Sequence, residues 1–304
     1  MSRSADPRTA GACDAVIVNY NAGDSLRRAV TSAIDSGVGR VIVVDNGSQD
    51  GSLDLLGDRT SSGAVTILRN GRNLGFAAAC NLGLARTAAS EVLFLNPDCT
   101  LSPGALARLR EVLRSDPTIG MVGGRLCDPD GTEQRGGRRR FPTPANVIGR
   151  AFTFIPRRWL GDDFMLHETP LPDGPVDVDA ISGACMLVSR DALAEVGGWD
   201  DGYFLHCEDL DWCRQFAAHG QRVVFVPDAL VLHEKGVSSR SRPVFVEWHK
   251  HRGMLRFFRK WQRREHGLAV AVLVTAGVWV RFATVASMQV ARRLVGRDAG
   301  RAHG

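Results

Sequence analysis

The chain lacks any ordered cysteine pattern. Its seven thiols, Cys13, Cys80, Cys99, Cys127, Cys185, Cys207 and Cys213, form no CxxC pair and no even framework. An odd, scattered set speaks against a disulfide-stapled fold and a zinc site, and fits reduced thiols in a cytosolic protein. A glycine-rich phosphate loop is also missing. The turn after the first apolar run, Asn19-Tyr20-Asn21-Ala22-Gly23, matches neither GxGxxG nor GxxxxGK[ST], which disfavours dinucleotide dehydrogenases and P-loop enzymes. Residues 1–12 are polar and small with no apolar h-region, so a disordered leader is expected there rather than a signal peptide. There is no internal repeat. Leu268 to Val280, the apolar run before Arg281, falls short of the ~20 residues that cross a bilayer.

What is present suits a soluble protein with a substantial core. The 304 residues are 44% hydrophobic, with a mean hydropathy of -0.09. The net charge of +5 is unevenly placed. Carboxylates are spread over the first two thirds, whereas cations crowd Arg138-Arg139-Arg140 and the stretch after Lys250. A basic end on a neutral body points to phosphate-rich surfaces, nucleic acid or anionic lipid.

Apolar runs at 15–18, 41–44, 65–68 and 92–95 read as strands, separated by helical stretches beginning near Asp24 and Phe76, the latter extending to Ala88. That alternation implies βαβ units and a parallel sheet. Four strand ends then converge on one edge, carrying Asn19-Tyr20-Asn21, Asp45, Asn70 to Asn73, and Asp98. A helix at 103–114 and a strand at 119–126 follow, and residues 128–175 form a long excursion without period. A strand at 184–189, a helix at 208–218 and two strands around Pro227 complete the body.

Ligands of open α/β sheets bind at the carboxyl ends of strands. Val92-Leu93-Phe94-Leu95-Asn96-Pro97-Asp98 delivers one carboxylate there, suited to a hard cation on a diphosphate. Asn-Pro-Asp is equally good turn chemistry. Asp45 is placed to hold a nucleotide base or ribose, or simply to start a loop as an Asx turn.

Five stretches, in order, spell out a family: 17–21 (IVNYN), 43–51 (VVDNGSQDG), 70–77 (NGRNLGFA), 95–98 (LNPD) and 203–211 (YFLHCEDLD). Together they resemble family 2 glycosyltransferases of the GT-A fold, in the bacterial rhamnosyltransferase-like branch, over about residues 13 to 260. The resemblance implies an α/β nucleotide-diphospho-sugar transferase fold with a mostly parallel central sheet flanked by helices. The implied glycosyltransferase domain covers 13–243, with a donor half of about 13–127 and an acceptor half of about 128–243. A basic amphipathic helix and apolar segment fill 244–304.

The resemblance also implies chemistry. A sugar moves from a nucleotide diphosphate, dTDP or UDP, to a glycan or polyprenyl-linked acceptor, commonly with inversion. Rhamnose or a similar deoxyhexose is the expected cargo, in cell-envelope glycan synthesis. A divalent cation, Mg²⁺ or Mn²⁺, offsets charge on the leaving diphosphate. Asp98 matches the last position of the family's DxD element, whose first position is Asn96 here, and His233 matches its late histidine. A lone histidine after a strand has a structural reading as well. Asp209 matches the general base, with Glu208 orienting the acceptor; first-turn acids also suit the helix dipole. Asn19, Tyr20, Asn21, Asp45, Asn46, Asn73, Gly75, Asn96, Ser182 and Gly183 are expected around the donor, and Trp199 and Asp200 on the acceptor side. Gly183 admits a close ligand approach or a plain turn. Ser238, Ser239 and Arg240 are candidates for the diphosphate.

From 252 to 264, Arg252, Arg256, Arg259 and Arg263 fall on one helix face, with Met254, Phe257, Phe258 and Trp261 opposite. A plain solvated face is one alternative, but the aromatic opposite face followed by an apolar segment favours a helix on an anionic membrane surface over docking entirely onto the domain. The expected location is the cytoplasm, peripheral on the inner membrane face, with a single C-terminal span left open. Two rivals are a catalytically silent nucleotide-sugar or glycan-binding subunit, and a nucleic-acid binder. The second lacks a recognition element, so no nucleic-acid partner is expected.

Overall fold

The computed structural model describes residues 13–59, 63–144, 164–234 and 242–301. The expected leader at 1–12 and the candidates Ser238, Ser239 and Arg240 lie outside the described residues. The chain divides into two compact units. The first comprises Met1–Phe141, Met165–Phe204 and Glu208–Ser238; the second takes Pro142–Phe164, Leu205–Cys207 and Ser239–Gly304.

The first unit runs β1 (Cys13–Asn19), α1 (Asp24–Asp35), β2 (Arg40–Asp45), β3 (Val65–Arg69), α2 (Phe76–Leu84), β4 (Glu91–Leu95), β5 (Cys99–Leu101), α3 (Ala105–Ser115) and β6 (Ile119–Cys127). Then come β7 (Arg138–Arg139), β8 (Val176–Asp177), β9 (Ala180–Ile181), β10 (Cys185–Ser189), α4 (Arg190–Val196), α5 (Glu208–Ala218) and β11 (Arg222–His233). A nine-stranded sheet has the order β3-β2-β1-β4-β10-β6-β11-β5, with β8 beside β11. The parallel arrangement expected of the sheet holds from β3 to β4 and again between β6 and β11. Strand β10 enters antiparallel to both neighbours, so the sheet as a whole is mixed.

Because β1 and β4 are buried on both faces, their sequences are near-continuous apolar runs rather than alternating ones. Leu26, Ala29, Val30 and Ala33 of α1 and Leu106, Leu109 and Leu113 of α3 fill the core on the sheet. Helix α2 ends at Leu84, earlier than expected, since Asp14 takes the backbone N–H groups of Ala88 and Ala89 at 2.9 and 3.3 Å. The two strands expected around Pro227 are one strand, β11, with a register shift between Val226 and Leu230. Proline donates no ladder bond, so the irregularity sits where the sequence requires it.

The second unit holds α6 (Pro243–Phe257), a π-turn (Phe258–Gln262) and α7 (Leu268–Arg301). Leu255 and Phe258 pack with Ala271, Val274 and Val278, while Arg252, Arg256 and Arg259 stay exposed. Arg281, the charge in the apolar run, faces buried His251, Nη1 to Nε2 at 3.2 Å. Burial and the nearby Arg281 hold His251 below its usual pKa, against a hydrogen bond to Glu247, so Nε2 is a neutral acceptor. With Arg281 so paired, Leu268–Ala291 forms a 24-residue span whose most apolar 18 residues have a mean hydropathy of 2.0, with 17% of them buried. That is long and apolar enough to cross a membrane, which revises the shortfall counted from the run before Arg281.

Candidate active site

Register places the strand ends in one row. Asn19 pairs with Asp45, Asp45 with Arg69, and Ile17 with Leu95. At the end of β2 the Asp45 carboxylate accepts from Asn19 Nδ2 at 2.9 Å and from the N–H groups of Gly47 and Ser48, both at 3.2 Å. It therefore closes an Asx turn. Asn21, at φ 51, holds the same loop, accepting from Gln49 N at 2.8 Å, while its own N–H donates to Ser48 Oγ at 3.0 Å. Asn46 accepts from Asn70 and donates to the Gly75 carbonyl, and Asn73 Oδ1 accepts from Gly75 N at 2.9 Å. Tyr20 is half-buried beside them. Asn19 Oδ1 is buried with no hydrogen-bond partner among the described residues.

Gly75 lies at φ +89, and a Cβ there would stand 2.6 Å from the Phe204 carbonyl oxygen. Only glycine lets this loop close on the segment before the acidic pair.

Asp98 and His233 meet because β5 and β11 pair antiparallel, His233 opposite Cys99, with Glu234 N donating to the Asp98 carbonyl at 2.9 Å. His233 Nε2 lies 3.2 Å from Asp98 Oδ1. Its other nitrogen is fixed by Gln134, which is 1% exposed. The Gln134 amide nitrogen donates to Asp128 Oδ1 and to the His233 carbonyl, both at 2.6 Å, so its oxygen must face His233 Nδ1, at 2.8 Å. That oxygen can only accept, so Nδ1 carries the proton and the Nε2 lone pair faces a carboxylate. The donor set fits a divalent cation. Cys99 stands beside the pair, but burial first, then Asp98 and Cys185, push its thiol well above the usual range. A neutral thiol is a poor ligand for a hard cation.

Strand β10 runs against β4, Cys185 opposite Leu95, so its start meets the end of β4. There Asn96 N donates to the Ala184 carbonyl at 2.9 Å, and Gly183 N donates to Asp209 Oδ2 at 3.2 Å. Ser182 caps the same turn, its hydroxyl accepting from Ala184 N. Asp98 and Asp209 thus stand at one sheet edge, joined through the Asn96–Ala184 and Gly183 backbone. Gly183 is bare for the protein's own sake: a Cβ would lie 3.3 Å from the Asp209 Cβ.

The acids opening α5 divide their work. Asp211 is buried, accepting from the Tyr203 hydroxyl at 3.2 Å and from Gln215 at 2.7 Å. Asp209 pairs with Arg139, Nη2 to Oδ2 at 2.6 Å. Burial opposes ionisation of Asp209, but Arg139 and the N–H groups of Gly183 and Leu210 outweigh it and hold the carboxyl below its usual range. Glu208 goes the other way. It is 7% exposed, its Oε2 has no hydrogen-bond partner among the described residues, and burial reinforced by Asp209 pushes its pKa up to about 8.

Two expectations change. Trp199 is no open acceptor wall: it is 3% exposed, stacked on Trp212 at 4.1 Å between centroids and edge-on to Phe76 and Phe94. It backs the Gly183 turn from within the core, its backbone clamped by Asn81. Asp200 holds the neighbouring turn, accepting from Gly202 N at 3.0 Å. The Arg138-Arg139-Arg140 cluster is not a cationic surface, because Arg138 and Arg139 are buried, paired with Glu133 and Asp209. Arg139 and Gln134 were missed as site residues. Nothing in the sequence marked either: β7 is too short to show a period, and both of its arginines are buried.

The profile of glycosyl transferase family 2 matches residues 14–197. The N-acetylglucosaminyl-diphospho-decaprenol L-rhamnosyltransferase of Mycobacterium tuberculosis is 31% identical over 244 residues, 75% of this chain and 78% of its own. Among solved structures, a mannosyltransferase from Pyrobaculum calidifontis with GDP-Man and Mn2+ superposes with a TM-score of 0.57 at 16% identity, over 97% of this chain and 82% of that one. GalNAc-T7 with UDP, GalNAc and Mn2+ gives 0.54 at 20% identity, over 75% of this chain and 44% of that one, so this chain spans under half its length. The fold and site define a GT-A glycosyltransferase. The chain belongs to glycosyl transferase family 2, and it is similar to the rhamnosyltransferases within it.

Proposed function

We propose that this glycosyltransferase moves rhamnose or a similar deoxyhexose from a dTDP- or UDP-linked donor to a polyprenyl-linked glycan, with inversion, at the cytoplasmic face of the membrane. The observation that carries the reading is the shared edge, where Asp98 with His233 and Asp209 with Glu208 flank the junction of β4 and β10. The rhamnosyl cargo and lipid-linked acceptor come from the mycobacterial relative, whose name specifies both.

In this reading Asp45, Asn19 and the Asn46–Asn73–Gly75 loop receive the nucleotide. Asp98 and His233 hold a divalent cation, which when bound offsets the charge of the departing diphosphate. Asp209 takes the proton from the acceptor hydroxyl, whose oxygen bonds to the anomeric carbon as the bond to the diphosphate oxygen breaks. Glu208, protonated at neutral pH, donates a hydrogen bond to the acceptor beside that base. The exposed arginines of α6 and the π-turn meet anionic lipid, and α7 anchors the chain.

The test is a thermal-shift panel of dTDP-, UDP- and GDP-sugars with and without Mn²⁺ or Mg²⁺. Cation-dependent stabilisation by a dTDP- or UDP-sugar supports the reading. Indifference to every nucleotide overturns it.

A further inference from the structure

We propose that Arg139 is a positioning residue that latches the Asp209 carboxylate closed against water and yields it only to an acceptor hydroxyl. The proposal rests on Asp209 being the base. Both carboxylate oxygens are occupied: Oδ2 by Arg139 Nη2 at 2.6 Å and Gly183 N at 3.2 Å, Oδ1 by Leu210 N at 2.8 Å and, more distantly, Arg139 Nη1 at 3.5 Å. The pair is enclosed, with side-chain exposures of 10% for Arg139 and 15% for Asp209. A carboxylate so engaged offers no well-directed lone pair to a hydroxyl until one donor leaves.

Arg139 is the donor able to leave. Gly183 and Leu210 bond through backbone in the turn before β10 and in α5, whose Trp212, Cys213 and Phe216 are fully buried. Arg139 instead reaches Asp209 through a long side chain from β7, two residues long, which pairs with the equally short β9 and bridges to Met165, in a sheet apart from the main one. A guanidinium leaves by side-chain rotation with the backbone in place, whereas release of Gly183 N or Leu210 N requires the turn or α5 to shift, so Arg139 is far the cheaper donor to move. As the fork swings off Asp209, its Nη2 keeps the Ile181 carbonyl, 2.6 Å away, within reach.

The consequence is chemical selectivity. Water is small and always present, and an open base beside the anomeric carbon would hydrolyse the donor. An acceptor that brings its own oxygen atoms can take over the guanidinium's hydrogen bonds; one water cannot. The proton then passes from the acceptor hydroxyl to Asp209, the new C–O bond forms, and the electron pair of the old one leaves with the nucleoside diphosphate. Among the described residues, the titratable and charged groups that act on Asp209 are Arg139 on β7, and Glu208 and the neutral Cys213 thiol on its own helix. With Arg139 removed, burial is opposed only by the N–H groups of Gly183 and Leu210, and the Asp209 pKa rises.

The experiment compares wild type with Arg139→Gln, Arg139→Lys and Asp209→Asn. It reads nucleoside diphosphate release without acceptor, transfer with acceptor, and the acid limb of kcat/KM. Arg139→Gln is expected to raise the hydrolysis-to-transfer ratio about tenfold or more and to move the acid limb to higher pH. Arg139→Lys, which keeps the charge but not the fork, gives a smaller rise, and serves alone if the glutamine variant does not fold. A ratio and acid limb unchanged from wild type in the folded variants overturn the latch, leaving Arg139 a structural partner. Asp209→Asn that abolishes transfer confines that failure to the latch; Asp209→Asn that retains turnover overturns the base assignment and the latch with it.

Discussion

Gln134 and His233 exchange two hydrogen bonds: the imidazole Nδ1 donates to the amide oxygen at 2.8 Å, and the amide nitrogen donates to the His233 carbonyl at 2.6 Å. The exchange fixes both ring and tautomer, and leaves Nε2 toward Asp98. Gln134→Leu keeps the volume and loses the exchange. Partners of this kind are worth ~10–100-fold in metal affinity. The variant should need that much more Mn²⁺ for half-maximal stabilisation by nucleotide, measured by thermal shift. An unchanged requirement would place the cation elsewhere.

Gly75 sets the approach of its loop to Phe204. Alanine there meets backbone atoms of Phe204 at 2.6 and 2.9 Å at a φ of +89. Chemical denaturation of Gly75→Ala is expected to show a loss of about 2–4 kcal/mol, the range for combined strain and overpacking. A loss within ~0.5 kcal/mol would mean the loop relaxes freely.

Glu208 makes stability depend on pH. Its pKa rises from 4.5 to about 8 on folding, through burial and then Asp209. Across that window the folded chain holds a proton the unfolded chain releases, so stability falls as pH rises. Asp209 acts oppositely, but its lowered pKa puts its effect below the window. Melting temperatures between pH 5 and 8 should fall for wild type and flatten for Glu208→Gln. Parallel curves for the two proteins would contradict this.

The exposed face of α6 and the π-turn should read lipid charge. Each basic residue near an anionic surface contributes ~1 kcal/mol, so replacing Arg252, Arg256 and Arg259 by glutamine weakens vesicle binding roughly a hundredfold. Co-sedimentation with phosphatidylglycerol vesicles measures it, with phosphatidylcholine as reference. Equal binding to both lipids by wild type would rule out the electrostatic contribution.

The first four sheet strands were legible because buried strands in βαβ units announce themselves as apolar runs of Val, Ile and Leu, as at 41–44 and 92–95. Asp45 and Asp98 could be placed at one edge because parallel register follows from that alternation. The short pairings were not legible. Two residues in β7 and two in β9 carry no period, yet they bring Arg139 to Asp209 across 70 positions. Gln134 reaches His233 from a turn-rich loop across 99 positions, which no local pattern encodes. Trp199 was expected on the acceptor side from the family resemblance alone, but Trp212, Phe76 and Phe94 enclose it.

The division of labour between Asp98 and Asp209 is tested most directly by measuring sugar transfer and cation-dependent donor stabilisation on the same preparations of Asp98→Asn and Asp209→Asn. Asp209→Asn should keep donor stabilisation within a few fold and lose transfer by ~10²–10⁴. Asp98→Asn should lose the cation-dependent part of the stabilisation. An Asp209→Asn enzyme that still transfers sugar at close to the wild-type rate, or an Asp98→Asn protein stabilised by donor and cation as before, contradicts the account.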